Sequence, residues 1–501
     1  MNQMPALEPK QIAEAAIARA RQAFAAHRHL SIEARLAELS RLKQVILARR
    51  DEICARVMAD VGKCRTDALI AEIIGSLDWI NWLEANAVKL LGPQKVKTPI
   101  TLLGKKSLLL HEPLGAVLVI CPWNYPFHNA ITAIAAAVVT GNAVVYKPSE
   151  HAPCEGLVEE MLACSPLLTE LVQIVYGDGA LGAALIDAGP AKVFFTGSGA
   201  TGARIMARAS AQLIPVELEL GGKDPMIVFD DVPLARPVAG ALWGAFTNAG
   251  QSCSAVERLL VQDTIFERFM DKLVAEAGKL VVQPDDDGDA DIGRMTAAFQ
   301  RDKVVAHVEE ALAKGARLRF GRVPDKHSLI VEPVILDRVT VDMAVWRDET
   351  FGPVLPVMPF KDEGEALHLA NDTGYGLCGS VFTADAARAM RVARAMEVGG
   401  VSINNVNMSE GNPGLPFGGV KKSGFGKLRG PEGLYGFTIS KAVLVDQATN
   451  KIEANWYPYT REKLHRFNRF IDALYAKRPF RLPGIAWNGG RLERVSQKPR
   501  T

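Results

Sequence analysis

The segment Gly250-Gln251-Ser252-Cys253 sets one thiol on a small polar turn, and Glu219 stands upstream in Glu217-Leu218-Glu219-Leu220-Gly221-Gly222-Lys223. A cysteine nucleophile and a separate carboxylate are what is needed to trap a carbonyl covalently and then release the product with water. A third element, Pro122-Trp123-Asn124-Tyr125-Pro126, places one amide among two prolines and two aromatics. Such a loop is stiff enough to hold an N–H donor against a developing oxyanion. Taken alone it reads as an ordinary structural turn.

Three further segments suit a nucleotide. Phe194-Phe195-Thr196-Gly197-Ser198-Gly199-Ala200-Thr201-Gly202 follows an expected strand, opens an expected helix and contains Gly-x-Gly-x-x-Gly. Glycines there let backbone approach a pyrophosphate at a helix amino terminus, where free N–H groups and the dipole favour an anion. The pattern by itself describes a tight strand-to-helix turn equally well. Lys147-Pro148-Ser149-Glu150 ends the apolar strand 143–146. An acid at a strand's carboxyl end can accept both hydroxyls of an adenosine ribose and would repel a 2′-phosphate, which favours NAD over NADP; a solvated loop is the alternative. In Asp348-Glu349-Thr350-Phe351-Gly352-Pro353, Glu349 can accept from the nicotinamide ribose and Phe351 can pack on the ring, although a helix or strand terminus would look the same.

These residues need a scaffold. From about residue 9 to 91 apolar residues recur at helical spacing, as in Ile46, Ile53, Val57, Ile73, Ile74 and Leu77, so this part is expected to be several helices without chemistry of its own. From residue 114 short apolar runs alternate with helices: 116–120, 143–146, 172–175, 193–195 and 226–229. That is the pattern of a parallel sheet covered on both faces. After Cys253 a second α/β series follows, with strands at 258–261, 354–359, 380–382 and 401–404. Two extended segments, 105–112 and 436–446, fit neither rhythm, and their edges invite pairing with another subunit, so a homodimer or a dimer of dimers is expected.

A chain of 501 residues is long enough for two or three domains, and a formal net charge of +2 gives no global nucleic-acid footprint. The seven cysteines are scattered, with no Cys-x-x-Cys or Cys/His spacing, which argues for a reducing compartment, cytoplasmic by default, and for no structural metal. The amino terminus shows no export signal. The longest apolar run, 131–146, is broken by Thr140-Gly141-Asn142 and is shorter than the roughly 20 residues a membrane span needs. It reads as a buried helix, a turn and a buried strand.

Seven segments together resemble the aldehyde dehydrogenase superfamily, from about residue 20 to 449 and in the family's order. They are the Asn124 loop, Lys147-Pro148-Ser149-Glu150, Phe195-Thr196-Gly197-Ser198, Glu219-Leu220-Gly221-Gly222-Lys223, Gly250-Gln251-Ser252-Cys253, Glu349-Thr350-Phe351-Gly352-Pro353 and Pro416-Phe417-Gly418-Gly419. The resemblance implies an α/β fold with two doubly wound α/β domains and a small β oligomerisation arm. It implies an NAD-binding domain from 1–96 and 114–220, a catalytic domain at 221–433, oligomerisation strands at 97–113 and 434–449, and a basic tail at 450–501. It makes Cys253 the nucleophile, Glu219 the general base and Asn124 an oxyanion donor beside the Cys253 amide. Lys147, Glu150, Ser198, Glu349 and Phe351 carry over as cofactor contacts, with Pro122, Trp123, Ser149, Gly197, Leu220 and Gly221 beside them. Within that resemblance Ser198 matters more than the full glycine pattern, whose literal match is partly coincidental.

The implied reaction is NAD(P)-dependent oxidation of an aldehyde through a Cys253 thiohemiacetal and thioester, hydrolysed by water that Glu219 activates. Relatives that pass the acyl group to coenzyme A or run reductively on semialdehydes generally lack that base, so hydrolytic release is favoured. A catalytically silent binding protein would be expected to have lost one of the three groups, and all three are present.

The substrate is less legible. The segment Asn404-Asn405-Val406-Asn407-Met408-Ser409-Glu410-Gly411-Asn412 by resemblance borders the aldehyde entrance, and Trp243 is either a tunnel residue or, by the favoured reading, a core tryptophan. From residue 451 to the end, twelve Lys/Arg stand against four Asp/Glu, a net of +8. Residues 461–477 set Leu464, Phe467, Phe470, Ile471 and Leu474 on one helical face, with basic residues elsewhere. Such a helix suits weak peripheral contact with an anionic membrane, while docking against its own body or a partner subunit is favoured. Trp456-Tyr457-Pro458-Tyr459-Thr460 resembles the tail of branches that include fatty-aldehyde enzymes, so medium- or long-chain aldehydes lead, with aromatic aldehydes next.

Overall fold

A computed structural model describes residues 8–284, 288–448, 450–475 and 481–497, without the side chains of 481 and 482. The chain divides into two compact units, Met1–Gly92 with Leu110–Lys441, and Pro93–Leu109 with Ala442–Thr501.

Sixteen strands follow in chain order among the described residues: β1 (Gln94–Val96), β2 (Lys105–Pro113), β3 (Ala116–Ile120), β4 (Ala143–Lys147), β5 (Val172–Ile174), β6 (Lys192–Gly197), β7 (Val216–Leu220), β8 (Asp224–Val228), β9 (Val256–Gln262), β10 (Arg317–Phe320), β11 (Val334–Asp337), β12 (Val354–Phe360), β13 (Cys378–Phe382), β14 (Gly400–Ile403), β15 (Gly424–Phe425) and β16 (Thr438–Asp446). The first unit holds two sheets. One runs β15-β7-β6-β3-β4-β5, parallel throughout except for β15; the other runs β10-β11-β12-β9-β8-β13-β14, parallel except for β10. The central strands are apolar at nearly every position because helices cover both faces; β3, Ala-Val-Leu-Val-Ile, is buried throughout.

The first sheet shares its core with the amino-terminal helices, Pro9–His27, Ile32–Ala48, Arg50–Val61 and Gly75–Leu91. A π-helical turn, Ala68–Ile74, leads into the last of them. The apolar run 131–146 forms the end of the buried helix Pro126–Val139, a turn and β4. The turn is fastened by Asn142, whose Oδ1 accepts from the N–H groups of Leu114 (2.7 Å) and Gly115 (2.9 Å) and whose Nδ2 donates to the Phe437 carbonyl (2.9 Å). A second core, from Met226 to Val406, fills the other sheet.

In the second unit β1 pairs antiparallel with β2, and β16 completes a three-stranded sheet in the order β1-β2-β16. Helices Arg461–Tyr475 and Arg481–Ser496 lie against each other, with Phe470 next to Gly489 and Ala473 next to Gly484. The expected single apolar face is divided: Phe467, Phe470 and Leu474 are half-buried, whereas Leu464 and Ile471 are exposed. Lys463, expected on the solvated side, is buried and donates to the carbonyls of Trp456 (2.6 Å) and Pro458 (3.2 Å). The expected helix end at Lys477 lies outside the described residues. Among the described residues no helix is long and apolar enough to cross a membrane.

Candidate active site

Cys253 lies between the short 3-10 turn Thr247–Gly250 and β9. The approach to it is an unusual backbone: Asn248, Ala249 and Gly250 have φ of 51°, 54° and 70° in succession. Each non-glycine residue held this way costs on the order of 1–3 kcal/mol, so surrounding bonds must impose it. Gln251 supplies several. Its Nε2 donates to the Asn248 carbonyl (3.0 Å) and its Oε1 accepts from the Thr296 N–H (3.0 Å). Gly250 is required twice over, by its left-handed φ and because a Cβ there would overlap the Gly352 carbonyl group.

Burial pushes the Cys253 thiol well above its ordinary range, and the carboxyls of Glu410, Asp224, Glu349 and Glu219 push it further. Glu219 is the penultimate residue of β7, in register with Gly424 of β15 on one side and Thr196 of β6 on the other. Its two carboxyl oxygens are buried and have no hydrogen-bond partner. Burial, then Glu217, raises its proton affinity far above that of an exposed glutamate, against the pull of Lys427 and Arg429. A buried unpartnered carboxyl is unusual in a folded protein, which makes Glu219 a candidate for a role in the chemistry.

Asn124 follows β3 in the loop before the helix Pro126–Val139. Its Nδ2 donates to the Gln251 carbonyl (3.1 Å), which uses one of its two amide protons and leaves the other. Its own carbonyl accepts from Lys63 Nζ (2.8 Å) and Asn248 Nδ2 (3.1 Å). The amide donor and the turn carrying the thiol are thus tied directly together.

All fourteen residues singled out in the sequence line one cavity of about 990 Å3: Cys253, Glu219 and Asn124, and with them Pro122, Trp123, Lys147, Ser149, Glu150, Gly197, Ser198, Leu220, Gly221, Glu349 and Phe351. That volume lies at the top of the roughly 300–1,000 Å3 range of ligand pockets. The lining suits a dinucleotide. Ser198 caps the helix Gly199–Ser210, accepting from the Thr201 N–H (3.3 Å), so an uncrowded helix amino terminus faces the cavity. Lys147 Nζ donates to the Pro148 carbonyl (3.0 Å) and stands 3.4 Å from Glu150, whose exposed carboxylate ends the cavity's rim. The third glycine of the pattern, Gly202, serves packing instead, since a Cβ there would come within 2.8 Å of Leu220. Glu349 accepts from the Gly222 N–H (3.2 Å), and burial with Glu257 raises its pKa to about 7. Trp123 meets Phe351 edge-on, ring centroids 5.4 Å apart.

Several supporting residues were not legible beforehand. Glu257 accepts from the N–H groups of Thr350 and Phe351, both at 2.7 Å, and pairs with buried Lys223 at 2.5 Å, so β9 fixes the left-handed Phe351 in place. Their only sequence signal was proximity to the motifs. Of the segment 404–412, Glu410 accepts from the Ser254 hydroxyl (2.9 Å), while none of the segment lines the main cavity. Arg429 contacts His128 Nε2 at 2.6 Å, and burial first, then Arg429 and Lys63, push that imidazole's pKa well below its ordinary value. Trp243 is not a core residue: it is 38% exposed and borders a second cavity of about 670 Å3. Among the described residues no His, Cys, Asp and Glu are grouped to hold a metal ion.

Fold and site together are those of an oxidoreductase acting on the aldehyde group. The chain belongs to the aldehyde dehydrogenase family, whose sequence profile matches residues 1–443. It is 43% identical over 463 residues to a 4,4'-diapolycopene aldehyde oxidase of Methylomonas sp, covering 92% of this chain and 87% of that one. It is 36% identical to a betaine aldehyde dehydrogenase of Cereibacter sphaeroides, covering 87% and 89%. A betaine aldehyde dehydrogenase from Staphylococcus aureus, solved in complex with NAD+ and with a BME-modified cysteine, superposes with a TM-score of 0.83 at 33% identity, over 90% of this chain and 91% of that one. An E. coli enzyme described as NADP dependent superposes with a TM-score of 0.82 at 32% identity, over 87% and 90%.

Proposed function

We propose that this chain oxidises an aldehyde to its carboxylic acid with Cys253 as nucleophile, Glu219 as general base, and Asn124 with the Cys253 N–H as oxyanion donors. The observation that supports this is that these three residues line one cavity together with the groups suited to a dinucleotide. The Cys253 thiol gives its proton to water, the sulfur bonds to the aldehyde carbon, and the free amide proton of Asn124 meets the oxyanion. A nicotinamide dinucleotide, held by Lys147, Glu150, Ser198, Glu349 and Phe351, supplies the hydride acceptor. What stays on Cys253 is a thioester. Glu219, whose oxygens have no protein partner, takes a proton from water; the water oxygen attacks the thioester carbon and Cys253 departs as the leaving group. In this reading residues 1–96 and 114–220 carry the cofactor and 221–433 the nucleophile. Growth of NADH absorbance on mixing protein, NAD and an aldehyde panel tests it; a Cys253→Ser variant as fast as the parent overturns it.

The substrate we infer is a long apolar aldehyde. Support comes from the name of the 43% identical relative and from exposed Trp243 and Ile70 on the second cavity. NAD is preferred over NADP because Glu150 would face a 2′-phosphate with like charge. Steady-state kinetics over aldehydes of rising chain length, with both cofactors, test the two statements. Flat kcat/KM with length, or equal use of NADP, contradicts them.

The exposed edge of β16 supports a homodimer or homotetramer built through residues 97–113 and 434–449. The seven free thiols support a reducing, cytoplasmic setting. On the tail Trp456, Tyr459, Leu464 and Trp487 are exposed among a net charge of +8, which supports weak peripheral contact with anionic lipid. Sedimentation with anionic and neutral vesicles tests that contact. Equal, negligible pelleting with both ends it.

A further inference from the structure

The amino-terminal helices look purely architectural in sequence, yet Lys63, Asp67 and Glu72 reach both halves of the site. Glu72 Oε1 accepts from Lys63 Nζ (2.7 Å) and its Oε2 from the His128 N–H (2.7 Å), with both charged side chains fully buried. The same Lys63 ammonium donates to the Asn124 carbonyl and lies 4.0 Å from the centre of the Tyr125 ring. Four residues along from Lys63, Asp67 reaches the other half. One oxygen accepts from the Asn248 N–H (2.7 Å) and the other from the Thr247 hydroxyl (2.9 Å).

Asn248 opens the left-handed run that delivers Cys253, and its side-chain amide donates to the carbonyls of Asn124 and Gln251, both at 3.1 Å. A backbone in that conformation persists only where its surroundings impose it. Asp67 grips it at its first residue with two bonds on two oxygens, which a carboxylate offers and a hydroxyl or an apolar side chain does not. We propose that Asp67 is a positioning residue for aldehyde oxidation: it holds the Asn248–Gly250 turn and so sets the Cys253 thiol against the Asn124 amide. The inference rests on Cys253 being the nucleophile.

Asp67 borders the second cavity, so truncation there opens onto existing space, whereas removing Lys63 or Glu72 would strand a buried charge. The test therefore compares Asp67→Ala with Asp67→Asn, which keeps an acceptor for Asn248 and can donate to Thr247. Pre-steady-state NADH bursts, KM for NAD and the alkylation rate of Cys253 by iodoacetamide are measured on the full chain. The Ala variant is expected to lose about tenfold or more in burst rate and to alkylate more slowly, with KM for NAD unchanged because neither Thr247 nor Asn248, the two residues that bond Asp67, lines the cofactor cavity; one lost contact of about 1.4 kcal/mol is a factor of ten. The Asn variant is expected to recover most of the loss. A burst within about twofold of the parent in the Ala variant, or equal loss in both, overturns the proposal. If the Ala variant does not fold, Thr247→Val, which deletes one of the two bonds, takes its place against Asp67→Asn with the same two outcomes. Cys253→Ser run in parallel separates the failures: a burst surviving in it removes the nucleophile reading itself, whatever Asp67 does.

Discussion

Gly418 lies against the carboxyl of Glu219 so closely that a methyl group on its Cα would overlap Oε1, and its φ of 147° is one that other residues rarely adopt. The proposed base is thus seated against the bare backbone of the Pro416-Phe417-Gly418-Gly419 turn. Gly418→Ala should displace Glu219 without touching Cys253. The expected outcome is a normal NADH burst followed by turnover slowed at least about tenfold, read by stopped-flow absorbance.

Replacing the base itself should separate the two halves of the reaction more cleanly. Glu219→Gln is expected to form acyl-enzyme in a rapid burst and then release acid slowly, seen as a thioester that persists in intact-protein mass spectra. Loss of the burst with Cys253 still alkylatable would remove Glu219 from its role.

The same substitution has a signed effect on stability. The Glu219 carboxyl holds its proton far above the ordinary range in the folded chain, so its contribution is complete at low pH and is lost as pH rises through the folded value. Glu219→Gln should therefore melt higher than the parent at pH 8, with the gap closing toward pH 4. A lower melting temperature for the variant at pH 8 contradicts the buried, proton-holding carboxyl.

Cofactor affinity should change with pH at Glu349. Its carboxyl, raised to about 7 by burial and Glu257, gains full acceptor capacity only on ionising. KM for NAD should fall as pH rises through about 7, and Glu349→Gln should flatten that dependence. A profile identical in variant and parent separates Glu349 from the ribose.

Asn124→Ala removes the proposed oxyanion donor. Single-turnover hydride transfer should slow by about 10²–10³, the usual cost of one such donor, while Cys253 remains present and reactive. A loss under about threefold would assign the oxyanion to backbone alone.

Much of this molecule was readable from local pattern. The strands 116–120, 143–146 and 354–359 stand out because a doubly covered strand must be apolar at every position, and β3, β4 and β12 occupy those stretches. Gly197, Glu219, Asn124 and Cys253 were visible because strand ends, tight turns and reactive side chains leave a signature within a few residues. What escaped is held over distance. Asp67 bonds Asn248 from 181 residues away, and Glu257 bonds Phe351 from 94 away, with nothing in either neighbourhood to announce it. β15, two residues long, returns to the first sheet beside Glu219 with no periodicity to read. Trp243 misled because a large aromatic is usually interior, whereas here it borders a cavity. The tail helix covers one edge of its apolar face, Phe467, Phe470 and Leu474, and leaves the other, Leu464 and Ile471, exposed, a difference that a helical projection does not carry.

Burial first, and then the four carboxyls around it, raise the proton affinity of the Cys253 thiol, and that has a protective side. Peroxides and mixed disulfides attack the anionic form of sulfur, so a cysteine that keeps its hydrogen ages slowly. Cys54, Cys121, Cys154, Cys164 and Cys378 are likewise driven toward the inert form by burial. Thiols held in that form are expected to outlast exposed cysteines when oxidant is present.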